Sequence, residues 1–348
     1  MNTTRSEPNY ENFLKAVTRS GRPERLPFYE HLASPGFVAR RTGTPFESMS
    51  PDSLDYWRVY VDFWLGMGFD VVPMEVGLNC PLPEPHRTPG SVSQGSEERI
   101  CIRSWEDYER YPWPSEEAPI AFRYFEMAAE LLPEGARIVG GVGAGPYEWS
   151  TYMLGVVGMS LLLFDQPDLV EEVCRRIGSL HLAALRQLAQ MDAICALRQG
   201  DDLGFKTSTF LKPDDLRRLI FPIYREMAAI AHAAGKPFVL HSCGNLNEVY
   251  PDIIDGCKID AKHSFEEVIL PVEEFKRLYG DRCTPLGGLD VDMICRAPRD
   301  ELLAYTRRKV EQCYGDGWWA LGTGNSLTDY MPVENFLMVL EEGRRVAA

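Results

Sequence analysis

The sequence predicts a single (β/α)8 barrel domain spanning residues 1–348, and two observations carry that prediction. Eight short β-rich runs alternate with amphipathic helical stretches, and polar or ionisable residues close nearly every run. The runs cover residues 25–29, 69–74, 137–141, 194–198, 237–241, 259–262, 283–287 and 318–321. Strands separated by helices pair in parallel, and a closed parallel sheet ringed by helices accommodates eight such units. A doubly wound open sheet is the alternative arrangement of the same elements.

The helical stretches carry their own punctuation. Asp165 is placed to cap a helix with Leu169, Val173 and Ile177 at four-residue spacing and Pro167 in its first turn. Pro213 opens another, with Leu216, Leu219, Ile220, Ile223, Met227 and Ile230 on one face; Pro222 predicts a kink and Gly235 the end. The last helix is expected over about 332–344. A helix over 53–65 reads as N-terminal decoration, and the Pro-rich stretch 79–114 as an insertion after the second strand, long enough to act as a lid.

Composition narrows the class. The formal net charge is −15 and the pI about 5.0, so the surface repels nucleic acid and anionic membranes. Nine cysteines at irregular spacing in a long chain read as reduced thiols. The N-terminal residues lack the apolar core of a signal peptide, and no apolar run approaches the roughly 20 residues of a membrane span. The cytoplasm is the expected compartment.

A barrel carries its chemistry at the C-terminal ends of its strands. Those ends supply Glu30 and His31, Glu75 and then Cys80, a glycine-rich turn before Tyr152, Asp201 and Asp202, His241 and Cys243, His263, Asp290, and Thr323 and Asn325. His241 and Cys243 stand two residues apart in the run PFVLHSCGN, so in an extended chain both face one point. Imidazole and thiolate are zinc ligands, and a third must come from another strand end: Asp202, Glu75, Cys80 and His263 compete. A helix starting at Gly244-Asn245 would steady the thiolate by its dipole. Asp201 and Asp202 can bind metal, orient a substrate or act as a base, and a helix cap or turn would use them equally well. The glycines at 140, 141, 143 and 145 lack dinucleotide-fingerprint spacing and suit close approach of backbone to a ligand.

Seven segments together resemble the uroporphyrinogen decarboxylase superfamily: ERLPFYEHL, GFDVVPMEVG, GPYEWSTYMLG, ALRQGDDLG, VLHSCGN, GGLDVD and LGTGNSLTDYMPVEN. The resemblance implies a (β/α)8 barrel. True decarboxylases of that superfamily bind a polycarboxylate porphyrinogen through arginines in the first strand-loop segment; here FYEHLASPGF has none before Arg40 and Arg41. Their catalytic aspartate falls near Asp70, their tyrosine on Tyr152 and their last histidine on Thr323. The zinc-dependent methyltransferase branch has a His-x-Cys-Gly metal motif, which matches His241, Cys243 and Gly244, and draws a cysteine ligand from the last strand, where this chain has Thr323. That branch implies Zn2+ and methylcobalamin carried by a partner corrinoid protein, with a small-molecule methyl donor or acceptor. The expectation is therefore a zinc-dependent methyltransferase: His241 and Cys243 as metal ligands, Asp202 and Tyr152 as catalytic residues, and Glu75, Asp201, His263, Asp290 and Asn325 at the substrate. The alternatives are a metal-free decarboxylase or lyase on a small acid, using Asp70 or Asp202 with Tyr152, and a non-catalytic binding protein that keeps the pocket.

Overall fold

The computed structural model describes residues 7–83 and 99–348. Of the 79–114 insertion expected as a lid, residues 84–98 lie outside the described residues, and its described part includes the helix Trp105–Arg110. Six parallel strands run in chain order around one sheet: β1 (Val71–Gly77), β2 (Arg137–Gly143), β3 (Ile194–Gly200), β4 (Phe238–His241), β5 (Ala261–His263) and β6 (Thr284–Leu286). The wall continues past β6 through parallel bridges Leu286↔Ala320 and Leu289↔Thr323, then Phe28↔Leu321 and Ala33↔Leu327. The first and eighth expected strands are thus present as bridges. Pro27 has no N–H to give to a ladder, and its carbonyl instead accepts from Leu321 N at 2.9 Å. Side chains join the first segment to β1: Arg25 pairs with Asp70 at one end, and Arg198 bonds both His31 and Glu75 at the other. The fold is an α/β TIM barrel.

The barrel has two cores. Between sheet and helices lies the large apolar layer. Inside, Tyr29, Val71, Val139, Ala196, Val239, Ala261, Leu286 and Ala320 pack with Phe13 and Val17 of the helix Tyr10–Thr18, which plugs the N-terminal end. Arg19 Nη1 donates to Asp260 O at 2.8 Å and Thr284 Oγ1 to Ala16 O at 2.9 Å, fastening that plug. Side chains alternate along a strand, so these interior residues fix which of their neighbours point inward. Two residues further on are Arg198, His241 and His263, and four past Val71 is Glu75; Gly141 stands in register with both Glu75 and Arg198, and His241 with His263.

Helix details differ from expectation at three points. The helix Val156–Asp165 ends on Asp165, and Gln166 takes the N-cap position of Pro167–Ala189, because Pro167 at N1 requires an extended residue before it. Pro222 does not kink one long helix: Pro213–Leu219 and Phe221–Ala233 are separate, with Pro222 in the second one's first turn where its missing N–H is harmless. The third, at Gly244, bears on the site. Among the described residues no helix is long and apolar enough to cross a membrane.

Candidate metal centre

Three donor atoms converge at the C-terminal mouth. His241 is the last residue of β4, buried, with its ring directed inward like Val239. Cys243 Sγ lies 3.5 Å from His241 Nε2, and Asp202 Oδ1 lies 3.5 Å from the same nitrogen. The Cys243 backbone N–H donates to Asp202 Oδ1 at 2.9 Å, tying the loop after β3 to the loop after β4. Of the four competitors for third ligand, Asp202 joins the pair.

The spacing identifies what the three atoms suit. A charge-assisted N–H···O hydrogen bond closes to about 2.7–2.9 Å. Bonds of about 2.0–2.3 Å at tetrahedral angles instead hold zinc-ligand atoms about 3.3–3.8 Å apart. The nitrogen–oxygen separation of 3.5 Å matches the second arrangement and not the first, and the nitrogen–sulfur separation of 3.5 Å fits the second as well as an ordinary hydrogen bond to sulfur. Asp202 and a Cys243 thiolate would neutralise a dication, and three protein donors leave the open position of a catalytic site. The residues present fit zinc.

A second trio, His31, His241 and His263, is equally close but unlike a metal cage. His241 Nδ1 and His263 Nδ1 are 2.7 Å apart, a hydrogen-bond distance. The guanidinium of Arg198 donates to the His31 ring and, at 2.6 Å, to the His31 carbonyl, placing a fixed cation where a second one would sit. His31 stacks on His241 with ring centroids 3.7 Å apart. Burial, then the Arg198 charge, holds His31 well below the usual histidine range. Glu75, expected at the substrate, pairs with Arg198 at 2.7 Å; burial raises its carboxyl and Arg198 opposes the rise.

Electrostatics within the donor set are divided. Burial and the Asp202 charge push the Cys243 thiol up to about 12, and burial lowers His241. Burial works against the Asp202 carboxylate too, while the Cys243 backbone N–H that it accepts favours its charged form. The helix expected to steady the thiolate is not there. Gly244 turns at φ 87°, in the left-handed region that favours glycine, and the first helical residue is Tyr250. Ser264 Oγ at 3.3 Å and Asn325 Nδ2 at 3.5 Å face the sulfur instead. Beneath them the buried Lys262 bonds the Ser242 and Ser264 carbonyls and sits 4.3 Å over the Phe265 ring; burial lowers it to about 8.

Asp201 is part of the scaffold. It is fully buried and accepts from Tyr147 N at 3.0 Å, Glu148 N at 2.9 Å and Tyr224 Oη at 2.7 Å, which caps the N-terminus of helix Pro146–Leu154. The glycine turn serves this cap: a Cβ on Gly145 would lie 2.1 Å from Asp201 Cβ, so the close approach expected for a ligand is made by the carboxylate. Helix Pro146–Leu154 presents Glu148 and Tyr152. Burial raises the carboxyls of both Glu148 and Asp201, and the charge of Asp201 adds to the rise at Glu148. Tyr152 is half-buried, packs on Trp149 at 5.6 Å, and is raised by burial and by Glu148.

Thr323, where the resemblance puts a cysteine or histidine, faces Glu30: its N–H donates to Oε1 at 2.6 Å and its hydroxyl approaches Oε2 at 2.7 Å. Burial raises Glu30 to about 8. The folded protein therefore keeps a proton that the unfolded chain releases between about pH 4.5 and pH 8, so the contribution of Glu30 to stability is full at acid pH and lost as pH rises through about 8. Glu30→Gln should flatten that decline, gaining about 2–4 kcal/mol relative to the parent between about pH 5 and pH 9 in denaturant titrations.

The remaining candidates fall apart in space. Asp290 caps helix Val291–Arg296 through Met293 N at 2.9 Å and lines a cleft of about 480 Å³ with Asn325, Phe265 and Glu266. Cys80 is buried beside Tyr111, away from the donor set. Asp70 lies at the N-terminal end of β1, paired with Arg25 and accepting from Asn9 N at 2.8 Å. The seven residues of β1 separate it by about 20 Å from the end where Tyr152 stands, so the two cannot act on one substrate. Glu148, Arg198, Lys262 and Ser264 were not singled out from sequence. Arg198 could have been, since it directly follows the apolar run ICAL of a buried strand, whereas Lys262 sits between Ala261 and His263 with no apolar run to mark it.

The chain is similar to solved structures over almost its whole length. One, a methyltransferase from Methanosarcina mazei, shares 17% identity at a TM-score of 0.72, covering 98% of this chain and 100% of that one. A putative vitamin-B12 independent methionine synthase from Listeria monocytogenes shares 12% at 0.50, covering 93% and 98%. A B12-independent methionine synthase from Shewanella sp. W3-18-1 in complex with selenomethionine shares 12% at 0.51, covering 94% and 96%. A search of curated proteins returned no match. The family model described as uroporphyrinogen decarboxylase (URO-D) matches residues 11–346, and with the barrel and its strand-end residues in place the chain belongs to that family.

Proposed function

We propose that the protein is a zinc-dependent methyltransferase that moves a methyl group between a small methylated substrate or thiol and a corrinoid protein. The observation that carries the reading is the convergence of His241 Nε2, Asp202 Oδ1 and Cys243 Sγ, with both separations from the nitrogen at 3.5 Å, the span held by ligands that share one tetrahedral cation. The likeness in fold to the Methanosarcina mazei methyltransferase agrees with it.

Bound zinc would supply Lewis acidity at the open position and turn a thiol into a thiolate. The chain's own groups do the rest. Ser264 and Asn325 donate to the Cys243 sulfur and hold its direction. Asp202 holds the two ligand loops in register through the Cys243 N–H. The cleft of about 480 Å³ starts at Asn325, one side chain from the sulfur, and receives the small substrate against Phe265 and Asp290. Tyr152, Glu148 and Glu75 are not among the residues lining that cleft; they stand within electrostatic reach of Asp202, with Arg198 fixing Glu75. The corrinoid protein binds in trans at the open mouth.

Protein purified without chelator should carry about one zinc per chain by elemental analysis. It should methylate free cob(I)alamin, followed by the absorption change, with a member of a panel of methoxyaromatics, methylamines and methylthiols. A content below about 0.1 zinc per chain that added zinc does not raise would overturn the reading.

A further inference from the structure

We propose that His263 is a positioning residue: its ring dictates which nitrogen of His241 is free of a proton. The relay starts at Thr323, whose carbonyl oxygen lies 3.2 Å from His263 Nε2. A carbonyl can only accept, so Nε2 of His263 carries the hydrogen. The ring is fully buried, and the cations Lys262 and Arg198 both act on it. A second proton would bury another cation beside them, so the ring is neutral and its Nδ1 is an acceptor. His241 Nδ1, 2.7 Å away, must then be the donor. A neutral His241 with its hydrogen on Nδ1 has a bare lone pair on Nε2, the atom 3.5 Å from both Asp202 Oδ1 and Cys243 Sγ.

The chain of bonds is anchored at its far end. Thr323 N–H and hydroxyl are engaged by Glu30, so the carbonyl that starts the relay is held from the first and eighth segments of the barrel. The edge of Tyr29 packs against the His263 ring, centroids 5.4 Å apart at 74°, and blocks its rotation. Histidine ligands commonly pass their second N–H to a carboxylate or a backbone carbonyl. Here a neutral imidazole stands between ligand and carbonyl, giving direction without adding charge to a donor set that already holds two potential anions. His263 thus belongs to the metal centre rather than to the substrate.

The consequence for metal binding rests on the zinc reading, whereas the proton positions can be measured without metal. Long-range nitrogen–proton NMR of the full-length metal-free protein, labelled with 15N-histidine, should show His241 as the Nδ1–H tautomer and His263 as the Nε2–H tautomer. His263→Phe keeps a ring but offers no acceptor; His263→Asn puts a carbonyl oxygen near the place of Nδ1. The Phe variant should bind Co2+ about 10–100-fold more weakly than the parent, with the Asn variant within a few-fold of it. Thermal unfolding without metal would show that both variants are folded. His241 found in the Nε2–H form in the parent, or a folded Phe variant with unchanged Co2+ affinity, would overturn the assignment. If the parent takes up no Co2+ at all, the zinc reading fails while the tautomer spectrum still decides the relay, including when the Phe variant does not fold.

Discussion

Asp201→Ala should destabilise the protein by about 3–5 kcal/mol, because it strands three donors at once at about 1–3 kcal/mol each, less what relaxation recovers. Those donors are the backbone N–H groups of Tyr147 and Glu148 and the Tyr224 hydroxyl, all turned toward a carboxylate that solvent does not reach. The same substitution one residue later should behave differently. The Asp202 side chain is about two-fifths exposed and accepts one backbone N–H, so Asp202→Ala should change stability by only about 1 kcal/mol. Urea titration of the metal-free variants measures both. Equal losses would show that the two carboxylates do not divide the work between scaffold and site.

Removing a donor should have its effect on the metal. A full zinc site binds with about 10–16 kcal/mol, so each ligand carries about 3 kcal/mol and its loss about a 10²–10³-fold drop in affinity. His241→Ala, Cys243→Ala and Asp202→Ala should each fall in that range in competition against a chromophoric chelator. His241→Ala should fall furthest, since its Nε2 is the atom from which both other donors stand 3.5 Å. Glu75→Gln, which touches Arg198 but no donor atom, should leave affinity within a few-fold of the parent. Tight binding that survives Cys243→Ala would place the metal elsewhere.

Much of this was legible in the chain. The alternation of strand and helix predicts the barrel, and His241 and Cys243 two apart on an extended run predict a shared direction that the structure keeps. The adjacent aspartates were also within reach of that rule. On β3 the interior residue Ala196 sets the parity of Arg198 and Gly200, and Asp202 continues it inward while Asp201 points into the helix layer. Ending the strand at Arg198 hides that parity, and the two carboxylates then look alike. Gly244-Asn245 misleads in the other direction, because a glycine that could open a helix is here a left-handed turn.

What the sequence by itself determined is which groups stand at the mouth, since strand ends and two-residue parity are local properties of the chain. Only the tertiary structure decided which of them meet. Asp202 beside His241, His263 behind it, Thr323 turned to Glu30 and Asp70 left at the far end all join residues tens to hundreds of positions apart. Such meetings depend on the stagger of neighbouring strands and on burial, which make one carboxylate a cap and its neighbour a donor; no periodicity along the chain encodes either.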